Sequence, residues 1–135
     1  MSELWIRRVL YFIGTWNIVG GASALADPMR HFGQLYDSSL TLGDPLQAFF
    51  FRATWINVVA WGFGYILAGR FPSARGPVLI AGGAGKLAYF GACVSLFSSG
   101  IGGTMLLLAG IFDVLFAAFF AYAVYASRSR QPAVG

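Results

Sequence analysis

Apolar residues dominate four long stretches of the chain, and short polar segments with proline or glycine separate them. The stretches cover residues 5–26, 46–68, 77–97 and 102–126. An α-helix rises 1.5 Å per residue, so about 20 apolar residues cross a hydrocarbon core of about 30 Å. Because lipid offers backbone amides no partners, such segments cross as helices. The pattern predicts an all-α membrane protein, a bundle of four transmembrane helices.

The composition agrees with this interpretation. Of the 135 residues, 58% are hydrophobic and 10% are charged, against roughly 25% charged in an ordinary soluble domain. No linker, low-complexity block or internal repeat divides the sequence. We therefore expect a single transmembrane domain over residues 1–135.

Basic residues are distributed unevenly between the two sides that four spans define. Arg30 and Arg52 fall on one side. Lysine and arginine are retained on the cytoplasmic side of membrane proteins, so the richer side is expected to be cytoplasmic, together with both termini. That side holds six arginines: Arg7, Arg8, Arg70, Arg75, Arg128 and Arg130.

The first span has a second interpretation. A basic N-terminus, an apolar run and the small residues around positions 24–26 are typical of a secretory signal with its cleavage site. Trp16 and Asn17 interrupt the apolar run, and cleavage would leave only three helices. We expect the span to be retained, and a mature chain that starts at Asp27 would contradict the four-span prediction.

One polar residue lies near the midpoint of each predicted span: Asn17, Asn57, Lys86 and Asp113. A lysine or aspartate at the bilayer centre costs about 2.5–3.5 kcal/mol on insertion scales, so two opposite charges there are expected to meet. We predict an ion pair between Lys86 and Asp113. Asn17, Asn57 and Tyr89 are expected to form a supporting polar layer at the same depth.

Two interpretations of this pair remain open. Buried ion pairs often fix the register of helices without performing chemistry. Ionisable residues within membranes also commonly bind ligands or relay protons. The sequence alone does not choose between a structural and a ligand-binding role for Lys86 and Asp113.

Groups for catalysis or metal binding are scarce. The chain has one histidine, His31, and one cysteine, Cys93, which leaves no catalytic triad and no zinc or haem ligand set. We therefore expect no enzymatic activity, no catalytic residue, no metal and no cofactor. The net charge of +4 comes mainly from residues at span ends, so nucleic acid is not an expected partner.

The first loop carries an additional short pattern. His31 is interpreted as a solvated loop residue rather than a metal ligand. The segment 29–36 has apolar residues at helical spacing, among them Phe32 and Tyr36. A short amphipathic helix here would lie on the membrane surface and cap the bundle.

The four-span plan, the Gly85-Lys86-Leu87 step and the aspartate of Ile111-Phe112-Asp113 in an aromatic last helix resemble the small bacterial membrane proteins described as DoxX-like. The resemblance covers nearly the whole chain. In DoxX proper the Gly and Lys signature lies early in the chain, whereas here it lies in the third span. The resemblance implies a multi-pass protein of the bacterial inner (plasma) membrane that is linked to membrane redox or quinone-associated systems.

Two functions follow as alternatives. The first is a non-catalytic membrane module, either an accessory subunit of a larger redox or transport complex or a binder of a hydrophobic small molecule. The second is a proton-sensitive transporter or channel for small solutes, with Asp113 and Lys86 as its gate. Each span has one polar level rather than a polar stripe, which favours the first. The expected partners are the lipid bilayer and such a molecule or complex, and a homo-oligomer is left open.

Overall fold

The described part of the chain, residues 2–129 of a computed structural model, folds into five α-helices. They are α1 (Glu3–Ala26), α2 (Pro28–Leu35), α3 (Pro45–Arg70), α4 (Pro72–Ser98) and α5 (Thr104–Arg128). Arg130, counted among the basic residues above, lies outside the described residues.

Three of the helices, α1, α4 and α5, are long and apolar enough to cross a membrane. The prediction of an all-α protein is confirmed, and these three helices fit a multi-pass membrane protein. With 26 residues α3 is also long enough, but Arg52 and Asn57 lower its hydropathy and it is not among the three. The fourth span and the cytoplasmic location of the termini stay predictions.

Prolines and side-chain caps determine where the helices begin. α2, α3 and α4 each start on a proline, which suits the first turn because its missing N–H would have no intrahelical partner there. The carboxylates of Asp27 and Asp44 accept hydrogen bonds of 3.1 and 2.9 Å from backbone N–H groups in the first turns of α2 and α3. α4 starts at Pro72 rather than at Pro77, which lies inside the helix.

The long helices associate as two antiparallel pairs, α1 with α3 and α4 with α5, and contacts between α3 and α4 join the pairs. Glycines bring the α1 and α3 backbones together. A Cβ atom added to Gly14 would lie 2.6 Å from the Gly62 carbonyl oxygen, and one added to Gly62 would lie 2.7 Å from that of Gly14. In the other pair, Gly110 faces buried Cys93. Such small residues allow helices to pack closely in lipid.

The two ends of the molecule differ in content. At one end, here called the terminal end, α1 and α4 begin and α3 and α5 finish; the other, the loop end, holds α2 and the loops of residues 36–44 and 99–103. An apolar cluster at the loop end, here called the loop-end cluster, includes Phe32 and Leu35 of α2. The main core fills the terminal half with buried residues of all four long helices: Ile6, Leu10, Ile13, Tyr65, Ala68, Leu79, Phe120, Ala123 and Ala126.

Arg75 is buried at the terminal end and links the long helices there. Because position 75 falls between the predicted spans 46–68 and 77–97, Arg75 was expected in a loop, but it lies in α4 and is only 1% exposed. Its guanidinium donates to the Glu3 carboxylate of α1 at 2.6 and 3.1 Å, to the Ser127 hydroxyl of α5 at 3.1 Å and to the Ala68 carbonyl of α3 at 3.3 Å. One buried cation thus joins all four long helices, and its charge is compensated within the protein.

The short helix predicted near residues 29–36 is present as α2. Phe32 and Leu35 are buried beneath it. The Gly103 N–H donates to the Leu35 carbonyl at 2.8 Å, and the Asp37 N–H donates to the Ile101 carbonyl at 2.9 Å. These bonds tie α2 to the loop before α5, so α2 forms a fixed roof over the loop end.

Candidate functional site

A cavity of about 740 Å³, here called the main cavity, lies between the helix pairs, and residues of all five helices line it. Ligand pockets in proteins typically have about 300–1,000 Å³ and are mostly apolar with a few polar groups. The main cavity has this character, because aromatic side chains make up much of its wall: Trp16, Trp55, Trp61, Tyr65, Tyr89 and Phe112.

Lys86 and Asp113 form an ion pair in the wall of the main cavity. The Lys86 ammonium on α4 donates a hydrogen bond to Asp113 Oδ1 on α5. The structure thus brings together the two charges that the sequence analysis pairs. The lysine side chain is 8% exposed and the aspartate side chain 19%, so the carboxylate presents the larger accessible surface.

Two aromatic rings hold the ammonium from other directions. Lys86 Nζ lies 5.3 Å from the centroid of the Phe116 ring and 5.8 Å from that of the Tyr65 ring. A cation within about 6 Å of a ring face is attracted by the ring quadrupole. The lysine is therefore fixed by three neighbours on two helices.

The three residues predicted as a supporting polar layer all line the main cavity. Asn17 on α1 is buried, with 8% exposure, whereas Tyr89 on α4 is half-buried and Asn57 on α3 is exposed. The Asn57 side-chain amide donates to the Ala53 carbonyl of its own helix at 2.9 Å. Asn57 is thus partly satisfied within α3 rather than by the ion pair.

Tyr65 is a site residue that the sequence reasoning missed. It is 2% exposed, and a Cβ atom at Gly82 would lie 2.6 Å from its hydroxyl oxygen. Glycine at position 82 therefore leaves the room that the phenol occupies beside Lys86. The available signal was its helical spacing, because Tyr65 follows Trp61 by one turn and Asn57 by two turns on the same face of α3.

His31 is a second addition and a correction. It was expected as a solvated loop residue, but it lies in α2, is half-buried and lines the main cavity. Its ring packs edge-on against Trp55 with 5.1 Å between centroids. Burial lowers the pKa of His31 below its usual value, and the Arg30 cation lowers it further, against an opposite effect of Asp27. The imidazole is therefore mainly neutral at neutral pH.

Within residues 2–129, no group of three or more His, Cys, Asp or Glu side chains is placed to hold a metal ion. Comparisons with protein families, with curated proteins and with solved structures give no match for this chain. The DoxX-like resemblance therefore stays a prediction, and function is inferred from the main cavity itself.

Proposed function

We propose that this chain is a small, non-catalytic membrane protein that binds a lipophilic small molecule in the main cavity. It serves as an accessory or ligand-binding module of a membrane redox or transport system in a bacterial inner membrane, in line with what the DoxX-like resemblance implies. The observation that carries the proposal is an ion pair, Lys86 with Asp113, set in the wall of a large cavity lined by aromatic side chains.

The surroundings of the pair favour a ligand-binding role over a purely structural one. A pair that only fixed helix register would be covered by packed side chains. Instead Asp113 keeps 19% of its side chain exposed, and the Asn17 and Asn57 amides line the same cavity. Polar groups that converge on an apolar cavity are what small-molecule sites use to orient their ligands.

The charge balance of the site indicates which kind of ligand it binds. Lys86 and Asp113 neutralise one another, so a charged ligand would gain no net attraction and would lose its hydration. An uncharged molecule with a polar head suits the site better. Its head would exchange hydrogen bonds with the pair, and its apolar part would lie against the aromatic rings.

The terminal half of the molecule supports binding over conduction. Side chains of all four long helices fill that half, and Arg75 joins the helices at its end. A permanent pore needs a polar path along the whole bundle. The main cavity instead lies between the terminal core and the loop-end cluster.

The helix packing supports α3 as the fourth span. Gly14 and Gly21 of α1 pack closely on α3, and so does Tyr11 on Gly69 near the end of α3. A helix that accompanies a membrane-spanning neighbour over its length crosses the membrane with it. The arginines support cytoplasmic termini, because Arg30 and Arg52 lie toward the loop end and more lie toward the terminal end: Arg7, Arg8, Arg70, Arg75 and Arg128.

Native mass spectrometry of the protein released from mild detergent tests the proposal. We expect the wild-type chain to retain a small-molecule adduct and, after that adduct is removed, to bind the lipophilic dye Nile red in the same cavity. The double variant Lys86→Met/Asp113→Asn is expected to lose at least tenfold in adduct and dye binding. Arg70→Met, which removes an exposed cation at the end of α3, serves as the control. Folded wild-type protein that binds neither adduct nor dye would contradict the proposal.

A further inference from the structure

The side of the bundle between α1 and α5 is open. Within residues 2–129, α1 and α5 make few close backbone contacts, in contrast to the two antiparallel pairs. They meet through ring contacts, Trp5 with Phe119 at 5.4 Å and Trp16 with Phe112 at 6.3 Å between centroids. One turn beyond Trp16, no atom of another helix lies within 4 Å of a Cβ atom added to Gly20. A gap between the two helices therefore begins at the Trp16–Phe112 contact.

This gap, here called the side opening, joins the main cavity to the outside of the bundle. Its edges are formed by Trp16 and Gly20 on α1 and by Met105 and Phe112 on α5, all of which line the main cavity. The three large side chains among them are exposed. α2 bounds the side opening at the loop end, because it follows α1 directly and its Leu35 carbonyl accepts a hydrogen bond from the loop before α5.

The side opening lies at a depth where a membrane consists of hydrocarbon. α1 and α5 are both long and apolar enough to cross a membrane, so this placement does not depend on whether α3 crosses. Trp16 and Phe112 lie within about one turn of the middle of their helices. The four edge residues are uncharged. Around helices that cross a membrane, lipid chains occupy this depth.

The outer faces of α1 and α5 favour lipid chains over a second protein helix. Helices associate in membranes through small residues that allow their backbones to approach closely. The exposed side chains near the side opening are large instead, among them Val19 of α1 and Leu108 and Leu115 of α5. A fluid lipid chain fits against such a surface, whereas a helix would be held away from the gap.

Asn17 indicates where a polar head is bound. Its side chain is only 8% exposed and lines the main cavity next to Trp16 at the edge of the side opening. Within the described residues its amide has no hydrogen-bond partner, whereas the amide of Asn57 donates to the Ala53 carbonyl. A buried amide without a partner is costly. A ligand hydroxyl would both accept from this amide and donate to it.

We propose that the ligand of the main cavity is a neutral lipid of the surrounding bilayer, with hydroxyl groups on its head, that enters through the side opening. The head lies between Asn17 and the Lys86–Asp113 pair, and the hydrocarbon chain passes between Trp16 and Met105 into the bilayer. This inference rests on the proposed function for the role of the ion pair and adds the class of ligand and its route. The chain stays in apolar surroundings throughout, so only the head exchanges its partners on binding.

Photo-crosslinking of the full chain in nanodiscs tests the class of ligand. The probe is a monoacylglycerol with a diazirine beside its head group, mixed into the bilayer. Saturable labelling is the part that an excess of unlabelled monoolein removes. We expect saturable labelling of the wild-type protein. Oleoyl lysophosphatidylglycerol, which carries the same chain on a charged head, is expected to compete at least tenfold more weakly, and equal competition by it would overturn the neutral head.

A second probe, with the diazirine at the end of the chain, locates the opening by peptide mapping of the wild-type protein. We expect its saturable labels on Val19, Met105 and Leu108, on the outer side of the side opening. The main cavity also has exposed wall residues between α3 and α4, namely Trp61 and Gly85. Saturable labels at those two residues alone would overturn the route between α1 and α5.

Two glycine positions provide a matched test of the route. Gly20→Phe fills the side opening and is expected to reduce saturable labelling at least fivefold. Gly91→Phe adds the same side chain to an exposed position of α4, where again nothing lies within 4 Å of an added Cβ atom. This control is expected to change labelling by less than twofold. Labelling that is insensitive to Gly20→Phe would overturn the route.

Two asparagines provide a matched test of the head position. Asn17→Leu is expected to reduce saturable labelling at least tenfold and Asn57→Leu by less than threefold, because the Asn57 amide is already bonded within α3. Since the Asn17 amide has no partner within the described residues, Asn17→Leu is expected to keep the wild-type stability in SDS unfolding. Loss of stability with unchanged labelling would assign Asn17 a structural role and overturn the head position.

The outcomes separate the lipid ligand from the proposed function. Wild-type protein that binds Nile red but shows no saturable labelling would overturn the lipid ligand and leave the proposed function standing. A stable dimer in native mass spectrometry whose second copy covers α1 and α5 and excludes the probe would overturn it as well. Because the peptide mapping uses the wild-type chain, it decides the route even if Gly20→Phe fails to fold.

Discussion

At the scale of single residues, the ion pair is asymmetric. Lys86 is surrounded by Asp113 and by the rings of Tyr65 and Phe116, whereas Asp113 also faces the main cavity. The Lys86 ammonium is therefore fixed by its neighbours, whereas the Asp113 carboxylate is accessible from the main cavity. Removing one charge and removing both must then have different consequences.

We expect Lys86→Met alone to destabilise the protein more than Lys86→Met/Asp113→Asn. Breaking a buried pair by removing one partner costs about 3–5 kcal/mol, and about 2 kcal/mol is expected here because Asp113 is 19% exposed. The double variant leaves a neutral amide and is expected to lose about 1 kcal/mol or less. Unfolding of purified protein by increasing mole fractions of SDS measures both, with Arg70→Met as the control. Equal losses in the single and double variants would show that charge pairing is not the source of the stability.

The stability of α2 is expected to depend on pH through His31. Because burial and Arg30 lower its pKa in the folded protein, the unfolded chain binds more protons just below the usual pKa of about 6.5. The contribution of neutral His31 to the stability of the folded protein is fully present above that pH and decreases as pH falls toward the lowered pKa. We expect amide hydrogens of α2, corrected for intrinsic rates, to exchange faster at pH 5 than at pH 7.5. His31→Gln is expected to remove this difference, and an unchanged difference in that variant would assign it to other groups.

These residues differ in how far sequence reasoning reaches them. Lys86 and Asp113 were predictable because an unpaired charge in lipid is costly. The hydrogen-bond partner of Asn57 was not predictable, since an amide can donate to a carbonyl of its own helix, as Asn57 does to Ala53. Tyr65 was missed because an aromatic side chain in an apolar helix has the same pattern whether it faces lipid or the interior.

At the scale of helices, contact between backbones defines the α1–α3 pair. Gly14 and Gly62 lie against one another's carbonyl oxygens, whereas nothing lies within 4 Å of a Cβ atom added to Gly20 of the same helix. Sequence alone does not distinguish these glycines, because both lie in the same apolar run. Their different surroundings make a matched pair of substitutions.

Gly14→Ala and Gly20→Ala are therefore expected to have opposite effects. Alanine in a helix interior is more stabilising than glycine by about 0.5–1 kcal/mol. Gly20→Ala is therefore expected to raise the free energy of unfolding by that order or to leave it unchanged. At Gly14 the added methyl would sit 2.6 Å from a carbonyl oxygen of α3, so the helices must separate at a cost of about 1–3 kcal/mol. SDS unfolding of the two variants makes the comparison. Similar stabilities for both would mean that α1 and α3 are less closely packed than described.

Helix boundaries show what local sequence signals miss. The predicted third span begins at Pro77, because the prolines, glycine and arginines of residues 70–77 are typical of a loop between spans, but α4 already begins at Pro72. Five more residues of helix bring Arg75 into the bundle, where Glu3, Ser127 and Ala68 satisfy its guanidinium. A charge that seems to belong to a loop is thus structural, since long-range partners that no local pattern reveals compensate it.

At the scale of the whole molecule, two apolar clusters lie on either side of the main cavity. The all-α architecture follows from the apolar stretches, but this division does not, because nearly every position in the spans is apolar whether it packs, faces lipid or lines a cavity. The cavity exists because the helices form two close pairs rather than four equal contacts. Its relation to the membrane depends on whether α3 crosses with the other three long helices.

Cysteine labelling in intact cells distinguishes four spans from three. In a Cys93→Ala background, single cysteines replace Ser39 in the first loop, Ser73 at the start of α4 or Ser99 in the last loop, all exposed positions. With four spans and cytoplasmic termini, we expect a membrane-impermeant maleimide to label positions 39 and 99 from outside and position 73 only after permeabilisation. If α3 does not cross, residues 39 and 73 share one side and residue 99 lies on the other. Labelling of position 73 alone from outside would keep four spans but reverse the orientation, so the loop end would then face the cytoplasm.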